Sequence, residues 1–132
     1  PGEMSSRHTA IASAMVETQG FLADVRPAIA AAHVVVHPSL TDGFGGALLE
    51  ALAMARPVIA SEIPASRQAV DERVNGTLVP PGDVASLAAS METYLRRPDL
   101  IPAMARASRA KAERLFDART VTAEMLAALQ LE

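Results

Sequence analysis

The segment VVVHPSLTDGFGGALLEALAMARPVIAS, residues 34–61, changes hydrophobic period twice within a short distance. It opens with three valines in an unbroken run from His33 to His37, closed by Pro38. That is the pattern of a strand buried on both faces. After a glycine-rich turn, the stretch from about Phe44 to Ala55 reads as an apolar helix, and Pro57 to Ser61 reads as a second buried strand. Two strands joined through a helix pair in parallel by a right-handed crossover, which predicts an open α/β sheet.

The flanking sequence extends the same alternation. Pro64 opens a short helix to about Val70, and Asn75-Gly76 turns the chain into a third strand, Thr77 to Val79, stopped by Pro80-Pro81-Gly82. Asp83 is placed to cap a helix with Val84, Leu87, Ala88, Met91 and Leu95 at helical spacing, and Arg96-Arg97 suit its C-terminal end. Two more helices are expected. Asp99 would cap a segment to Phe116, and Asp117 one with Val121, Met125 and Leu129 inside. Upstream, residues 3–14 read as a helix with Ile11 and Met15 on its inner side, although Met15 to Gln19 suits a short strand equally well. Asp24 is a candidate N-cap for a helix from Val25 to Ala32, with Pro27 tolerated in its first turn. The fold class expected is a Rossmann-like α/β three-layer sandwich with a mostly parallel sheet.

At 132 residues, half of them apolar and a fifth charged, the chain corresponds to about one ordered domain with a real core. It has no cysteine, which excludes a disulfide framework and a thiolate metal site and points to a reducing compartment. No apolar run approaches the roughly 18 residues of a membrane span, and the N-terminus lacks a signal-peptide layout, so a cytoplasmic location is expected. The net charge of −3 argues against a general nucleic-acid binder. Seven basic residues (Arg96, Arg97, Arg106, Arg109, Lys111, Arg114 and Arg119) do cluster late in the chain, but without the aromatic residues that base stacking uses. They read as a solvated helix face, with a surface for phosphate or anionic lipid as the alternative.

Ligands of open α/β sheets bind at the carboxyl ends of the strands, where helix N-termini converge. The loop from Pro38 to Gly46 occupies that rim. Gly43, Gly45 and Gly46 remove Cβ atoms where the backbone turns, letting a ligand approach main-chain N–H groups. Asp42 precedes the helix, and Glu50, the only charge between Gly43 and Ala55, lies about 7 to 8 Å further along its axis. Two carboxylates and a set of amides suit a ligand rich in hydroxyls, such as a sugar or a ribose. A structural explanation stays open: Asp42-Gly43 is a common turn, and Glu50 can point into water. There is no G-x-G-x-x-G, no G-K-[ST] after a glycine loop and no G-x-S-x-G. His8, His33 and His37 are too scattered for a metal pair, and His37 is better read as a hydrogen bonder at a strand end.

Residues 34–61 strongly resemble the donor-binding segment of family 4 (group 1) glycosyltransferases, retaining enzymes of the two-domain GT-B fold. Further similarity runs from VETQGFLADV (16–25) through GTLVPPGDVASLAASM (76–91) to AKAERLF (110–116), about 100 residues in the usual order. The resemblance implies that the chain is a partial C-terminal, nucleotide-sugar donor-binding domain over residues 1–132, a truncated half of a GT-B enzyme. The reaction implied is transfer of a sugar from a nucleotide-sugar to an acceptor hydroxyl with retention, without cofactor or metal.

In that family two acids separated by seven residues face the donor, which falls here on Asp42 and Glu50. Glu50 takes the ribose-binding role by resemblance. Asp42, Gly43, Phe44 and Gly45 are implied to meet the transferred sugar, and Ser39 with Gly20, Phe21 and Leu22 to approach the nucleotide.

Two departures stand out. Position 42 is Asp, one methylene shorter than the usual Glu. The acceptor-side domain, the first two strands of the donor domain and a basic pair for the leaving diphosphate are absent, so the isolated fragment is expected to be inactive. Peripheral membrane association belongs to the expectations for the full-length protein. With those strands gone, a strand near Val16 would lose its neighbour, and the valine strand would become an apolar edge that self-associates through Val34, Val35 and Val36 or is crossed by the N-terminal segment. A reading from another class is a non-catalytic nucleotide- or sugar-binding module, or a structural scaffold.

Overall fold

The computed structural model describes residues 15–43 and 45–129. In chain order the elements are α1 (Arg26–Ala31), β1 (Val35–His37), α2 (Gly46–Ala53), β2 (Val58–Ser61), α3 (Pro64–Ala69), β3 (Gly76–Val79), α4 (Val84–Arg96), a 3-10 turn (Pro98–Leu100), α5 (Ile101–Leu115) and α6 (Ala118–Ala128). The strands form one parallel sheet in the order β1-β2-β3, with Val35 opposite Val58 and Val58 opposite Gly76. Helices cover both faces, as the strand–helix alternation predicts.

The pleat of β2 divides the core. Val58 and Ala60 pack with Leu48, Ala51, Leu52, Ala69, Val70 and Ala112, so α2, α3 and α5 cover that face. Ile59 packs on the opposite face with Val79, Tyr94 and Met104 from β3, α4 and α5. All four residues of β2 are buried because this strand has a neighbour on each edge and helices above and below. Gly76 permits the close pairing with β2: a Cβ there would run into the carbonyl oxygen of Val58.

Local capping follows the sequence at two of four expected positions. Asp83 Oδ1 accepts the Ser86 N–H at 3.0 Å, and Asp117 Oδ1 accepts the N–H groups of Arg119 and Thr120. Asp24 and Asp99 behave differently: each is gripped through both oxygens by an arginine two positions away, whereas Arg119 stays 3.9 Å from Asp117. Asp24 grips the Arg26 guanidinium with both oxygens while also taking its N–H, and the N-cap position of α1 falls on Val25. Asp99 lies inside the 3-10 turn and is held in a two-oxygen pair with Arg97, and α5 starts after Leu100 without a side-chain cap.

Several expectations are corrected. Residues 16–20 have no strand partner and run as exposed irregular chain, so the sheet has three strands among the described residues, without the expected one near Val16. A lone strand would leave its N–H and C=O groups to water with no ladder to compensate. Met15 is exposed rather than inward-facing, and the helix expected over residues 3–14 lies outside the described residues. The valine strand is shorter than expected and only half-buried, because β1 is an edge of the sheet. On α4, Val84, Met91 and Leu95 are exposed, and Tyr94 supplies the buried contact. Val121, Met125 and Leu129 on α6 are exposed too: its apolar residues find nothing to pack against among the described residues.

Candidate functional site

The loop at residues 38–45 leaves the carboxyl end of β1 and delivers the chain to α2. Its shape depends on Asp42 and Gly45. Asp42 Oδ1 accepts the Gly45 N–H at 2.9 Å, and Asp42 Oδ2 lies 3.3 Å from His37 Nε2. Ser39 Oγ is 3.4 Å from the same imidazole nitrogen, so Ser39, Asp42 and Gly45 gather around the end of β1. Gly45 occupies the N-cap position of α2 in a left-handed conformation, φ +71°. A Cβ on Gly45 would make only ordinary contacts with Ala65 and Leu48, so backbone conformation rather than crowding selects glycine. Around Gly43 and Gly46 a Cβ would meet nothing within 4 Å, which leaves the space over the amides open. Phe44 lies outside the described residues.

Glu50 stands in the middle of α2, whose Leu48, Ala51 and Leu52 are buried. Its side chain is exposed and makes no hydrogen bond or ion pair among the described residues. Two open clefts of about 380 and 460 Å³ meet at Glu50 and Ala53. The first also contains Arg109, Phe116 and Asp117, and the second Asp24, Arg26 and Ile29. Neither cleft includes Asp42, which lies in the loop before α2, so the two acids do not share a cleft. Gly20, Phe21 and Leu22 lie on exposed chain, with Phe21 94% open, while the adjacent Ala23 and Asp24 line the second cleft.

Sequence reasoning missed Arg109 as a neighbour of Glu50. Its guanidinium donates to the Ala53 carbonyl at the C-terminal end of α2 and pairs with Glu113. The contact spans 56 positions and has no local signal. Of the seven late basic residues, five pair with carboxylates: Arg96 with Glu92, Arg97 with Asp99, Arg109 with Glu113, Lys111 with Asp71 and Arg119 with Asp117. The exposed arginines fit the solvated-face reading, but Lys111 corrects it: its side chain is buried against Asp71. Among the described residues no helix is long and apolar enough to cross a membrane.

The parallel half-sheet, the glycine-loop rim and the unpaired carboxylate on the helix behind it define an α/β unit of the nucleotide-binding type. A family model described as group 1 glycosyl transferases matches residues 2–97. Curated relatives include a putative glycosyltransferase EpsD of Bacillus subtilis strain 168, 34% identical over 83% of this chain and 29% of that protein. A phosphatidyl-myo-inositol mannosyltransferase of Mycobacterium leprae is 33% identical over 87% of this chain and 32% of its own length. Among solved structures, Anabaena HepE in complex with UDP and glucose superposes with a TM-score of 0.83 at 26% identity, covering 94% of this chain and 34% of HepE. The C-terminal domain of a group 1 family protein from Francisella tularensis has a TM-score of 0.71 at 25% identity, covering 83% of this chain and 60% of that one. The chain therefore belongs to the group 1 glycosyltransferase family, with the Rossmann-like fold that the strand–helix alternation predicts. It spans about a third of the length of these two curated relatives.

Proposed function

We propose that this chain forms much of the donor side of a cytoplasmic glycosyltransferase that moves a sugar from a nucleotide-sugar to an acceptor hydroxyl with retention, without a cofactor or bound metal. The observation that carries the reading is Glu50: an unpaired carboxylate exposed on a helix otherwise built to be buried, beside two open clefts. The ribose hydroxyls of the donor give it partners. Asp42 with Gly43, Phe44 and Gly45 would meet the sugar, and Ser39 with Gly20, Phe21 and Leu22 the nucleotide. HepE, whose structures hold UDP and UDP-glucose, supplies the probe chemistry.

Such a site acts by holding the donor and stabilising charge on the departing diphosphate. Titration of the chain with UDP and UDP-glucose by calorimetry tests the reading. Saturable binding weakened in Glu50→Ala supports it, and binding indifferent to that change removes the assignment. A second reading is a nucleotide- or sugar-binding module or scaffold without catalysis. The absence of any nucleotide binding would select the scaffold.

The edge strand β1 suggests a partner as well. The outer edge of β3 is partly closed, since the Glu72 carboxylate accepts the Leu78 N–H at 2.7 Å. Among the described residues β1 has a strand on one side only, and an apolar cleft of about 440 Å³ with Val34, Val36, Ile59 and Leu95 runs beside it. A second copy of the chain pairing through Val34, Val35 and Val36 would bury this surface.

A further inference from the structure

We propose that His37 is a positioning residue of the rim loop: its imidazole directs Nε2–H at the Asp42 carboxylate and so holds that carboxylate on the Gly45 amide. The ring lies at the end of β1 with only 15% of its side chain exposed. Nε2 is 3.3 Å from Asp42 Oδ2 and 3.4 Å from Ser39 Oγ, while Nδ1 is buried without a hydrogen-bond partner. These facts select the tautomer. With the proton on Nδ1, a buried N–H would go unsatisfied and the bare Nε2 lone pair would face a carboxylate, two unfavourable arrangements at once. With the proton on Nε2 both disappear, and a single unpaired acceptor remains.

At 3.3 Å the contact is longer than the strongest charged hydrogen bonds, so its part is orientation more than adhesion. One Asp42 oxygen is on His37 and the other is on Gly45. Contacts on different oxygens restrict rotation of the carboxylate plane more than contacts on one oxygen would. The Gly45 amide they hold sits at the left-handed turn that launches α2, the element carrying Glu50. His37 thus acts through Asp42 on the geometry of the loop, and it touches neither sugar nor nucleotide.

Resting on the donor reading above, this assigns His37 to the sugar-dependent part of donor affinity. The ribose contact taken by Glu50 is independent of it, while Ser39, which also meets the His37 ring, carries a smaller effect to the nucleotide.

Two measurements on the isotope-labelled chain test the contact without any ligand. Long-range nitrogen–proton correlations should place the His37 proton on Nε2, and the Nδ1-protonated form would overturn the proposal. His37→Leu should speed hydrogen exchange at the Gly45 amide by about ten-fold, and His37→Gln, whose side-chain N–H stands in for Nε2–H, should restore it. In an Asp42→Asn background the leucine change should add little, because both act on one contact. Unchanged exchange in a folded His37→Leu chain, or fully additive effects, would overturn the proposal. Thermal melting confirms that each variant is folded.

A third measurement reads function. His37→Leu should shrink the affinity ratio of UDP-glucose to UDP by about ten-fold, with much the smaller loss in UDP binding. An equal loss for both ligands contradicts the role. A wild-type chain that binds neither ligand counts against the donor reading, and the tautomer and exchange results then decide the His37 contact by themselves.

Discussion

Glu50 and Gly45 show how differently two neighbouring residues can be read. Glu50 was visible in the sequence as the lone charge on an apolar helix, and the structure leaves it without a partner. Glu50→Ala should therefore change folding stability by no more than about 0.5 kcal/mol, as at an ordinary surface site, while weakening donor binding ten- to hundred-fold or so. Melting curves and calorimetric titration of the same sample separate the two effects. Gly45 was visible only as one glycine among three. Its left-handed conformation singles it out, and Gly45→Ala should cost about 1–2 kcal/mol in denaturant unfolding, whereas Gly46→Ala fits the space available. The bracket of His37, Asp42 and Gly45 was not legible, because it depends on how the loop closes over a strand end and not on spacing along the chain.

At the scale of elements, the caps explain what local sequence can and cannot settle. Asp83 and Asp117 cap as expected, Arg119 coming no closer than 3.9 Å to Asp117, whereas Arg26 and Arg97 hold Asp24 and Asp99 in two-oxygen pairs. The hydrogen bonds from the Ser86 N–H and hydroxyl hold the Asp83 carboxyl below the usual carboxylate range. A carboxyl depressed in the folded state stabilises the fold above its unfolded pKa and loses that contribution as pH falls through the folded one. Acid unfolding followed by circular dichroism should thus be less steep in Asp83→Asn than in wild type. Gly76 is the other decisive element-level residue. Gly76→Ala forces β3 away from the Val58 carbonyl and should cost at least about 1–3 kcal/mol. The β1 edge leads to a solution test: Val34→Lys should convert a concentration-dependent dimer, seen by sedimentation, into a monomer.

Across the whole molecule, the two core layers meet at β2, and the buried Tyr94 reports on the α4 side. Its hydroxyl lies 3.1 Å from Thr77 Oγ1 and 3.3 Å from Met104 Sδ. Burial pushes its ionisation up, the hydrogen bond to Thr77 opposes this, and the nearby Glu72 charge adds to it. A phenol whose pKa is raised by folding stabilises the fold below the ordinary tyrosine value of about 10 and loses that contribution as pH climbs through the folded value. Since this is the chain's only tyrosine, alkaline difference absorbance should show its ionisation delayed until the fold opens, and Tyr94→Phe should abolish the absorbance change altogether.

The order of strands and helices, the parallel sheet, the rim loop and its two acids were all determined by the sequence alone, because period, turn residues and short connections are local quantities. Tertiary structure decided the rest. It made β1 a half-buried edge, left residues 16–20 without a strand, and exposed Val84, Leu95 and Met125 although their spacing was that of a buried face. Apolar spacing says that a face can be buried, but burial requires a neighbour, and only the assembled layers determine which faces have one.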